Sequence, residues 1–287
     1  MANMIIIGKG PAGISASLYI LRAGIETTII AKDGGALEKA ESIDNFYGFP
    51  QPISGKQLIQ NGVEHAKRLG AHFVEDEVVG LSFDGKFVVQ TANGEYKADS
   101  VLLSTGSQRV RPKVKGLTEF EGMGVSYCAI CDAFFYRGQH VAVLGDGEYA
   151  LHEVKELLPI VGSVTLLTNG SQPKVVFPEE VQINQAKISE LIGNEALEQV
   201  LLEDGTALTI SGFFVAQGVA GSSDLARKIG AMTEGNKIIV NENMETNIPG
   251  LYAAGDCVGG LLQVSKAVSD GALAGTAAIR YLRDLGK

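Results

Sequence analysis

Apolar runs alternate with glycine-rich turns and mixed polar stretches along the whole chain. The run Met4–Ile7 predicts a buried strand, residues 8–13 a tight glycine turn, and residues 14–23 a helix. The same order recurs at residues 141–158, where a second apolar run leads through a glycine turn into a helix. A strand, a glycine turn and a helix in this order are typical of a nucleotide-binding unit of an α/β fold. The pattern therefore predicts two such Rossmann-like units.

The rest of the chain reads as further elements of the same kind. Helices are predicted at residues 54–69 and 263–283. Small residues at Ala267, Gly271, Ala274 and Ala278 suit close packing of the second of these helices. Residues 78–90 read as a hairpin turned at Asp84-Gly85. The remaining strands are predicted at residues 27–30, 71–75, 100–104, 163–167, 213–216 and 238–240.

Composition narrows the choice of function. A chain of 287 residues, 45% of them hydrophobic, is globular and long enough for two domains. A net charge of -9 and a pI near 5.0 argue against nucleic acid or an anionic membrane as the main partner, since both favour a cationic face. No apolar stretch is long enough to span a bilayer, and the first residues lack the features of an export signal. We therefore expect a cytoplasmic protein.

Cys128 and Cys131 carry the most distinctive chemistry, because two cysteines at this spacing either cycle electrons or bind a metal. A closed zinc site needs about four nitrogen or sulfur ligands. The third cysteine, Cys257, and the four histidines offer no short-spaced set, so a redox disulfide is favoured over zinc or two inert thiols. Asp132 either caps a turn or carries the proton that a thiolate leaving group requires. Cys257 is expected to be a small buried core residue.

The first glycine turn, Gly8-Lys9-Gly10-Pro11-Ala12-Gly13, predicts a dinucleotide site. Between a strand and a helix, it sets backbone amides and a helix N-terminus against a pyrophosphate. An acid for a ribose hydroxyl is expected after the next strand, but Ala31 and Lys32 stand there and Asp33 follows. The ribose contact is left open by the sequence.

Several motifs together resemble the low-molecular-weight thioredoxin reductases. They are the glycine turn, residues 45–50, Thr105-Gly106, residues 250–256, and Cys-Ala-x-Cys-Asp followed by residues 134–136. The resemblance covers nearly the whole chain. It implies an α/β fold of two Rossmann-like, three-layer ββα dinucleotide-binding domains, the second inserted into the first. Residues 1–112 and 221–287 would form the FAD-binding domain, and residues 113–220 the insert that carries the disulfide.

The resemblance also implies roles for individual residues. Cys131 would receive electrons from the flavin, Cys128 would attack the disulfide of the partner protein, and Asp132 would shuttle the proton. Rotation of the insert would let one cysteine pair serve both partners. Implied cofactor contacts are Gly8, Gly10, Pro11, Ala12, Gly13, Ala31, Lys32, Gly35, Ala36, Leu37, Asn45, Thr105, Gly106, Gly255, Asp256, Gln263 and Val264. The arginine that the family places before this glutamine is Leu262 here, and the connection from Asp256 is one residue shorter.

The second glycine turn departs from the family, in which it receives NADPH. Asp146 and Glu148 put two carboxylates where a pyrophosphate approaches, unless both acids turn outward and cap the helix. Residues 168–172 stand where NADPH-using relatives carry a His-Arg-Arg cluster, so no guanidinium is supplied there for a 2′-phosphate. We therefore expect an insert without nucleotide. The chain then resembles the ferredoxin-dependent flavin thioredoxin reductases, which keep FAD and the disulfide.

This resemblance implies thioredoxin as electron acceptor, ferredoxin as donor and a homodimer. No metal, nucleic acid or membrane partner is expected, as the composition and the cysteine and histidine pattern indicate. The alternatives are an NADPH-dependent thioredoxin reductase and a flavin-binding redox sensor without turnover. Residues 109–115 alternate basic and apolar side chains in an otherwise acidic chain. This basic run either docks an acidic donor protein or is the solvated edge of a strand.

Overall fold

The computed structural model describes residues 2–107 and 112–286. These residues form two compact units. The first unit holds the described residues up to 107 together with those from Gly221, and the second holds those from 112 to Ala220.

The secondary structure alternates between short strands and helices in both units. The helices are α1 (Pro11–Arg22), α2 (Gly55–Arg68), α3 (Ala129–Asp132), α4 (Glu148–Leu157), α5 (Ser222–Lys228) and α6 (Val264–Leu285). The strands are β1 (Asn3–Ile7), β2 (Glu26–Ile30), β3 (His72–Val74), β4 (Val78–Phe83), β5 (Phe87–Thr91), β6 (Glu95–Ala98), β7 (Ser100–Leu103), β8 (Val125–Ser126), β9 (His140–Leu144), β10 (Ser163–Leu167), β11 (Gln182–Asn184), β12 (Ile188–Gly193), β13 (Leu197–Leu202), β14 (Ala207–Thr209), β15 (Gly212–Val215), β16 (Thr233–Glu234), β17 (Lys237–Ile238) and β18 (Leu251–Ala253). Short 3₁₀ helices lie at Leu37–Lys39, Ala133–Tyr136 and Asp256–Val258.

The first unit is built on a parallel sheet of strand order β18-β7-β1-β2-β3. Met4 to Ile7 of β1 are all buried, as the unbroken apolar run predicts for a central strand covered on both faces. Helices α1 and α6 cross closely, because a Cβ at Gly271 would lie 2.1 Å from the Ala12 carbonyl oxygen and one at Gly275 2.8 Å from that of Ala16. The predicted close packing of α6 is therefore confirmed. Strands β4, β5 and β6 form a separate antiparallel sheet.

The second unit repeats this plan. Its parallel sheet has the order β11-β10-β9-β15-β8, and β12, β13 and β14 form an antiparallel sheet. The two parallel sheets with their helices confirm the predicted α/β class with Rossmann-like units. Because parallel strands end at the same edge, each sheet places its connecting turns side by side.

Several element boundaries differ from those predicted, most clearly those of α1 and β17. Helix α1 begins at Pro11 rather than Ile14, since Gly10 is the N-cap residue and proline is favoured in the first helical turn. The strand expected at residues 238–240 is only β17, which pairs with β16 over two residues.

Among the residues that the structure describes, no helix is both long and apolar enough to cross a bilayer.

Candidate functional site

The first glycine turn is shaped by close backbone approaches. Gly8 has φ +110°, and a Cβ there would lie 2.5 Å from the Ser104 carbonyl oxygen. A Cβ at Gly13 would lie 2.1 Å from the Gly8 carbonyl oxygen. A Cβ at Gly10, in contrast, would meet no atom within 4 Å. Gly8 and Gly13 therefore allow the close backbone contacts of this turn, and Gly10 leaves open space at the N-terminus of α1.

Thr105 and Gly106 follow β7, next to β1 in the sheet. The Thr105 backbone N–H donates to Ser222 Oγ at 3.0 Å, and the two hydroxyl oxygens of these residues lie 2.7 Å apart. A Cβ at Gly106, where φ is +76°, would meet nothing within 4 Å. The sheet thus brings the predicted pair to the same edge as the glycine turn, with an open side. Sequence reasoning missed Ser222, which fixes the pair.

The Gly255–Gly259 turn follows β18 and is held by an ion pair in the first turns of α6. Lys266 Nζ donates to the carbonyl oxygens of Gly255 at 2.9 Å and Gly259 at 2.6 Å. It also lies 2.6 Å from Asp270 Oδ2, which accepts from the Gly255 backbone N–H at 3.1 Å. This pair fixes the loop that carries Asp256. The ion pair is absent from the predicted site, although the four-residue spacing of Lys266 and Asp270 on a helix is a sequence signal for it.

Two predicted cofactor residues that are far apart in sequence meet directly. Asn45 Nδ2 donates to Gln263 Oε1 at 3.0 Å, across 218 positions of sequence. Gln263 is the N-cap residue of α6, and both side chains are exposed. The neighbouring Leu262, in the place of the family's arginine, is also exposed.

A cavity of about 290 Å³ opens beside the glycine turn. Gly10, Pro11, Leu37 and Val264, all predicted cofactor residues, contribute to its walls, together with Phe46. Its predominantly apolar lining suits part of an aromatic ligand. Gly35 and Ala36 lie just before Leu37, and the Gly35 N–H donates to Asp33 Oδ1 at 2.8 Å.

A buried acid lies where the sequence left the ribose contact open. Lys32, two residues after β2, forms an ion pair with Glu77, whose side chain is 6% exposed. Glu77 comes from the segment after β3, the neighbour of β2 in the sheet. Its second oxygen, Oε1, is buried and has no hydrogen-bond partner among the described residues. This oxygen lies near the sheet edge where a Rossmann unit binds its nucleotide. A ligand hydroxyl there would supply the missing hydrogen bond. Ala31, in contrast, uses its N–H to bond the Val74 carbonyl oxygen.

These features fit a dinucleotide such as FAD. The N-terminus of α1 has a glycine cap, no acidic residue in its first turn and open space at Gly10, which suits a pyrophosphate. Asp256 and the Asn45–Gln263 pair belong to the same unit as this helix.

Cys128 and Cys131 form a disulfide at the start of the second unit, with Cα atoms 5.3 Å apart. Cys128 is the N-cap residue of α3, and its sulfur accepts from the Cys131 backbone N–H at 3.2 Å. Cys128 is 3% exposed, whereas Cys131 lies at the surface. The predicted disulfide is therefore present, and Cys131 is the accessible sulfur in this arrangement.

Asp132 ends α3 and accepts a hydrogen bond from Ser126 Oγ at 2.6 Å. Ser126 Oγ also accepts from the Cys128 backbone N–H at 3.1 Å. The hydroxyl thereby links the Asp132 carboxylate to the backbone of the disulfide, which is compatible with both a structural and a proton-carrying role. Burial and the charge of Asp132 raise the pKa of nearby Tyr136.

Cys257 is a free thiol buried in the first unit. Its sulfur lies 3.3 Å from the Ala254 carbonyl oxygen and 3.5 Å from that of Leu103. Burial raises the pKa of this thiol to about 11, so it is protonated and unreactive at neutral pH. The predicted core role of Cys257 is confirmed.

Among the described residues, no three His, Cys, Asp or Glu side chains cluster to hold a metal.

The second glycine turn is bonded to the turn that follows the neighbouring strand. Asp146, only 8% exposed, accepts from Ser171 Oγ at 2.9 Å and pairs with Lys174 Nζ at 2.9 Å. The Lys174 backbone N–H also donates to the Asp146 carbonyl oxygen at 2.7 Å. We call this cluster the Asp146–Lys174 bridge. It occupies the carboxyl edge of β9 and β10, where a Rossmann unit receives its dinucleotide.

The bridge changes the reason for expecting no nucleotide. Asp146 is not a bare charge facing a pyrophosphate, because Lys174 neutralises it, and it does not turn outward either. Glu148 is the first residue of α4, and the N-cap residue Gly147 provides no side-chain hydrogen bond to the helix. The turn after β10 is further fixed by its own hydrogen bonds. Thr168 Oγ1 donates to the Ser171 carbonyl oxygen, and the single hydroxyl hydrogen of Ser171 is shared between Asp146 and the Thr168 carbonyl oxygen. A nucleotide at this edge would therefore meet a neutralised, hydrogen-bonded carboxylate rather than the bare charge expected from the sequence.

Only part of the basic run at residues 109–115 can be placed. Arg109 and Arg111 lie outside the described residues. Lys113 is exposed, and Lys115 pairs with Glu190, whose carboxylate raises the pKa of Lys115. One of the four positive charges is therefore compensated within the second unit.

Comparison with known proteins shows which family the chain matches. The Pyridine nucleotide-disulphide oxidoreductase family matches residues 2–271. A thioredoxin reductase of Aquifex aeolicus (strain VF5) is 36% identical over 275 residues, which cover 88% of this chain and 84% of that protein.

Two solved structures resemble the whole chain. The atypical thioredoxin reductase TRi from Desulfovibrio vulgaris Hildenborough superposes with a TM-score of 0.93 at 39% identity, covering 99% of each chain. A ferredoxin-flavin thioredoxin reductase from Clostridium acetobutylicum superposes with a TM-score of 0.73 at 29% identity, covering 98% of each chain.

Proposed function

Because this chain belongs to the pyridine nucleotide-disulphide oxidoreductase family, and within it to the low-molecular-weight thioredoxin reductases, we propose that it carries electrons from ferredoxin to thioredoxin. It is a flavoprotein disulfide reductase that uses FAD, and thioredoxin is its protein substrate. The ferredoxin donor, the residues that bind FAD and a homodimeric assembly are parts of the proposal.

FAD suits this reaction because a flavin can take up one electron at a time and deliver two. A ferredoxin supplies single electrons, whereas reduction of a disulfide to two thiols consumes two electrons and two protons. We propose that the first glycine turn, Asp256 and the Asn45–Gln263 pair hold FAD. In the same proposal Cys131 receives the electrons, Asp132 exchanges a proton through Ser126, and Cys128 attacks thioredoxin through a mixed disulfide. Since Cys128 is buried, that attack requires the segment to move.

The Asp146–Lys174 bridge is the observation that carries the choice of donor. An enzyme reduced by NADPH needs the carboxyl edge of its second Rossmann unit free for the nucleotide. Here the nearly buried Asp146 carboxylate is paired with the largely exposed Lys174 ammonium, and a backbone hydrogen bond joins the same two residues at that edge. The turn also offers no arginine for the 2′-phosphate. A donor that reduces the flavin directly, without binding in the second unit, is the better fit.

Similarity to a ferredoxin-flavin thioredoxin reductase supports this choice, and similarity to thioredoxin reductases named without that donor leaves NADPH as the competing one. An anaerobic reduction series separates the two. We expect the flavin absorbance near 450 nm to bleach rapidly with reduced ferredoxin and far more slowly with millimolar NADPH or NADH. Dithionite serves as the control for a reducible flavin. Rapid bleaching by NADPH would assign the chain to the NADPH-dependent enzymes instead.

We further propose that the exposed aromatic side chains beside the disulfide dock thioredoxin. Phe134 is 68% exposed and Phe135 72%, directly after the disulfide helix, and Ile130 is also exposed. Clustered apolar side chains at a protein surface often mark a protein–protein contact. Because these lie beside the redox site, they favour a contact with the protein substrate.

Replacing Phe134 and Phe135 together by alanine is expected to raise the KM for thioredoxin about thirtyfold, because two aromatic anchors that contribute ~1 kcal/mol each add to about 2 kcal/mol. Reduction of the small disulfide reagent DTNB should keep its rate. Val176→Ala, a change at another exposed apolar residue of the second unit, is the matched control. An unchanged KM in the double variant would place the docking surface elsewhere.

A further inference from the structure

A buried carboxylate touches the backbone of the disulfide, and neither the family motifs nor the proposed roles use it. Glu153 lies on α4, the helix that follows the second glycine turn, and is 1% exposed. Its Oε2 accepts from the backbone N–H of Ala129 at 2.7 Å. Ala129 directly follows Cys128 and is itself fully buried. The carboxylate is therefore bonded to the peptide group that joins Cys128 to Ala129.

Burial of a charged carboxylate is costly unless hydrogen bonds or a counter-charge compensate it, because the charge loses its hydration. The hydrogen bond from Ala129 recovers part of that cost and fixes the residues between the two cysteines. In a site with little water, the charge also acts strongly on any neighbouring group that ionises. The neighbouring group that ionises during the reaction is the Cys128 thiol.

We propose that Glu153 is a positioning residue for disulfide reduction, whose carboxylate anchors the Cys128–Cys131 backbone and whose negative charge opposes thiolate formation, keeping the cysteine pair strongly reducing. Reduction adds two electrons and two protons to the disulfide and yields two thiols. A nearby negative charge disfavours loss of the proton from Cys128, so the reduced form gains less stabilisation from ionisation. A pair whose reduced form is less stabilised passes its electrons to thioredoxin more readily.

Other titratable groups surround the same segment and stay unchanged in the test. They are Asp132 and Tyr136 in the segment itself, Arg137 beside Phe134, Tyr127 with its partner Glu121, and Tyr149 and His152 on α4.

The test is the Glu153→Gln variant of the FAD-loaded enzyme. Its amide oxygen can still accept from Ala129, so the variant removes the charge and keeps the shape. The fraction of dithiol is measured anaerobically in glutathione buffers by acid quenching, alkylation and mass. At pH 9 we expect the exchange equilibrium to shift about tenfold toward the dithiol, which is about 30 mV for a two-electron couple. At pH 6, where the thiols of both proteins are protonated, the equilibria should coincide.

Two further variants keep the test decisive. Glu156→Gln removes the same charge from the next turn of α4 and should match the wild type at both pH values. Glu153→Asp keeps the charge and should stay close to the wild type at pH 9, even if it loosens the bond to Ala129. Equal equilibria for Glu153→Gln and wild type at pH 9, or equal shifts in the Gln and Asp variants, would overturn the charge role. Because the readout is the disulfide equilibrium, its outcome does not depend on which donor reduces the flavin.

Discussion

Replacing Gly10 by aspartate is expected to give a folded but colourless protein. The backbone at Gly10 has φ -75°, which any residue adopts, and a side chain there meets no atom within 4 Å. Aspartate is also a favoured helix N-cap, so the variant should fold at least as well as the wild type. A bound pyrophosphate, however, would lie next to the new carboxylate. One like-charge pair at about 4 Å costs roughly 4 kcal/mol at an effective dielectric of 20, which is about a thousandfold in FAD affinity.

The measurement is FAD binding by the apoprotein, followed by flavin fluorescence, with thermal unfolding as the check on folding. Gly10→Asn has the same size and also caps a helix, so it separates charge from bulk and should lose much less affinity. Gly94→Asp places the same charge in the exposed turn between β5 and β6, where a side chain also has open space, and should bind FAD normally. A yellow Gly10→Asp protein with wild-type affinity would remove this turn from the cofactor site.

Each cysteine of the disulfide is expected to be essential for turnover, with different remaining activities. Cys128→Ser and Cys131→Ser should each lower thioredoxin reduction by more than about 10³-fold, because neither leaves a pair that can cycle. In Cys128→Ser the remaining Cys131 thiolate should give long-wavelength absorbance beside the flavin. In Cys131→Ser that absorbance should be missing, and Cys128 should remain able to attack thioredoxin.

A trapping experiment distinguishes the two roles. A thioredoxin that retains only its attacking cysteine, activated with thionitrobenzoate, should form a stable mixed disulfide with Cys131→Ser and release the coloured thionitrobenzoate anion. Cys128→Ser should react far more slowly. Because Cys131 is the exposed sulfur in the structure and Cys128 is 3% exposed, the opposite result is a real alternative. Faster trapping by Cys128→Ser would exchange the two roles.

The sequence predicts the parallel sheets and their turns well, because strand, glycine turn and helix are adjacent along the chain. The start of α1 is missed by three residues, since the apolar pattern begins at Ile14 whereas the cap chemistry begins at Gly10. The disulfide is predictable for the same local reason, as its cysteines are three positions apart.

Contacts between distant segments are what the sequence could not provide. Glu77 reaches Lys32 from the segment that follows the neighbouring strand β3, and Glu153 reaches Ala129 across 24 positions. Each acid sits in a stretch whose pattern is ordinary, and only the folded sheet order shows what it touches. Asp146 stands out in the sequence, but its pairing with Lys174 depends on the conformation of a turn that residue types alone do not specify.

The Asp146–Lys174 bridge has a consequence for how cofactor preference could evolve or be redesigned in this fold. Asp146→Gly would delete the carboxylate and leave the backbone hydrogen bond from the Lys174 N–H to residue 146, and the bonds between Thr168 and Ser171 would persist as well. Lys174→Ala would instead leave Asp146 as an unpaired, nearly buried charge. Neither single step improves nucleotide binding, so the substitutions are epistatic. On the proposed function, we expect conversion to a pyridine-nucleotide enzyme to require exchange of the whole turn at residues 168–174 together with Asp146.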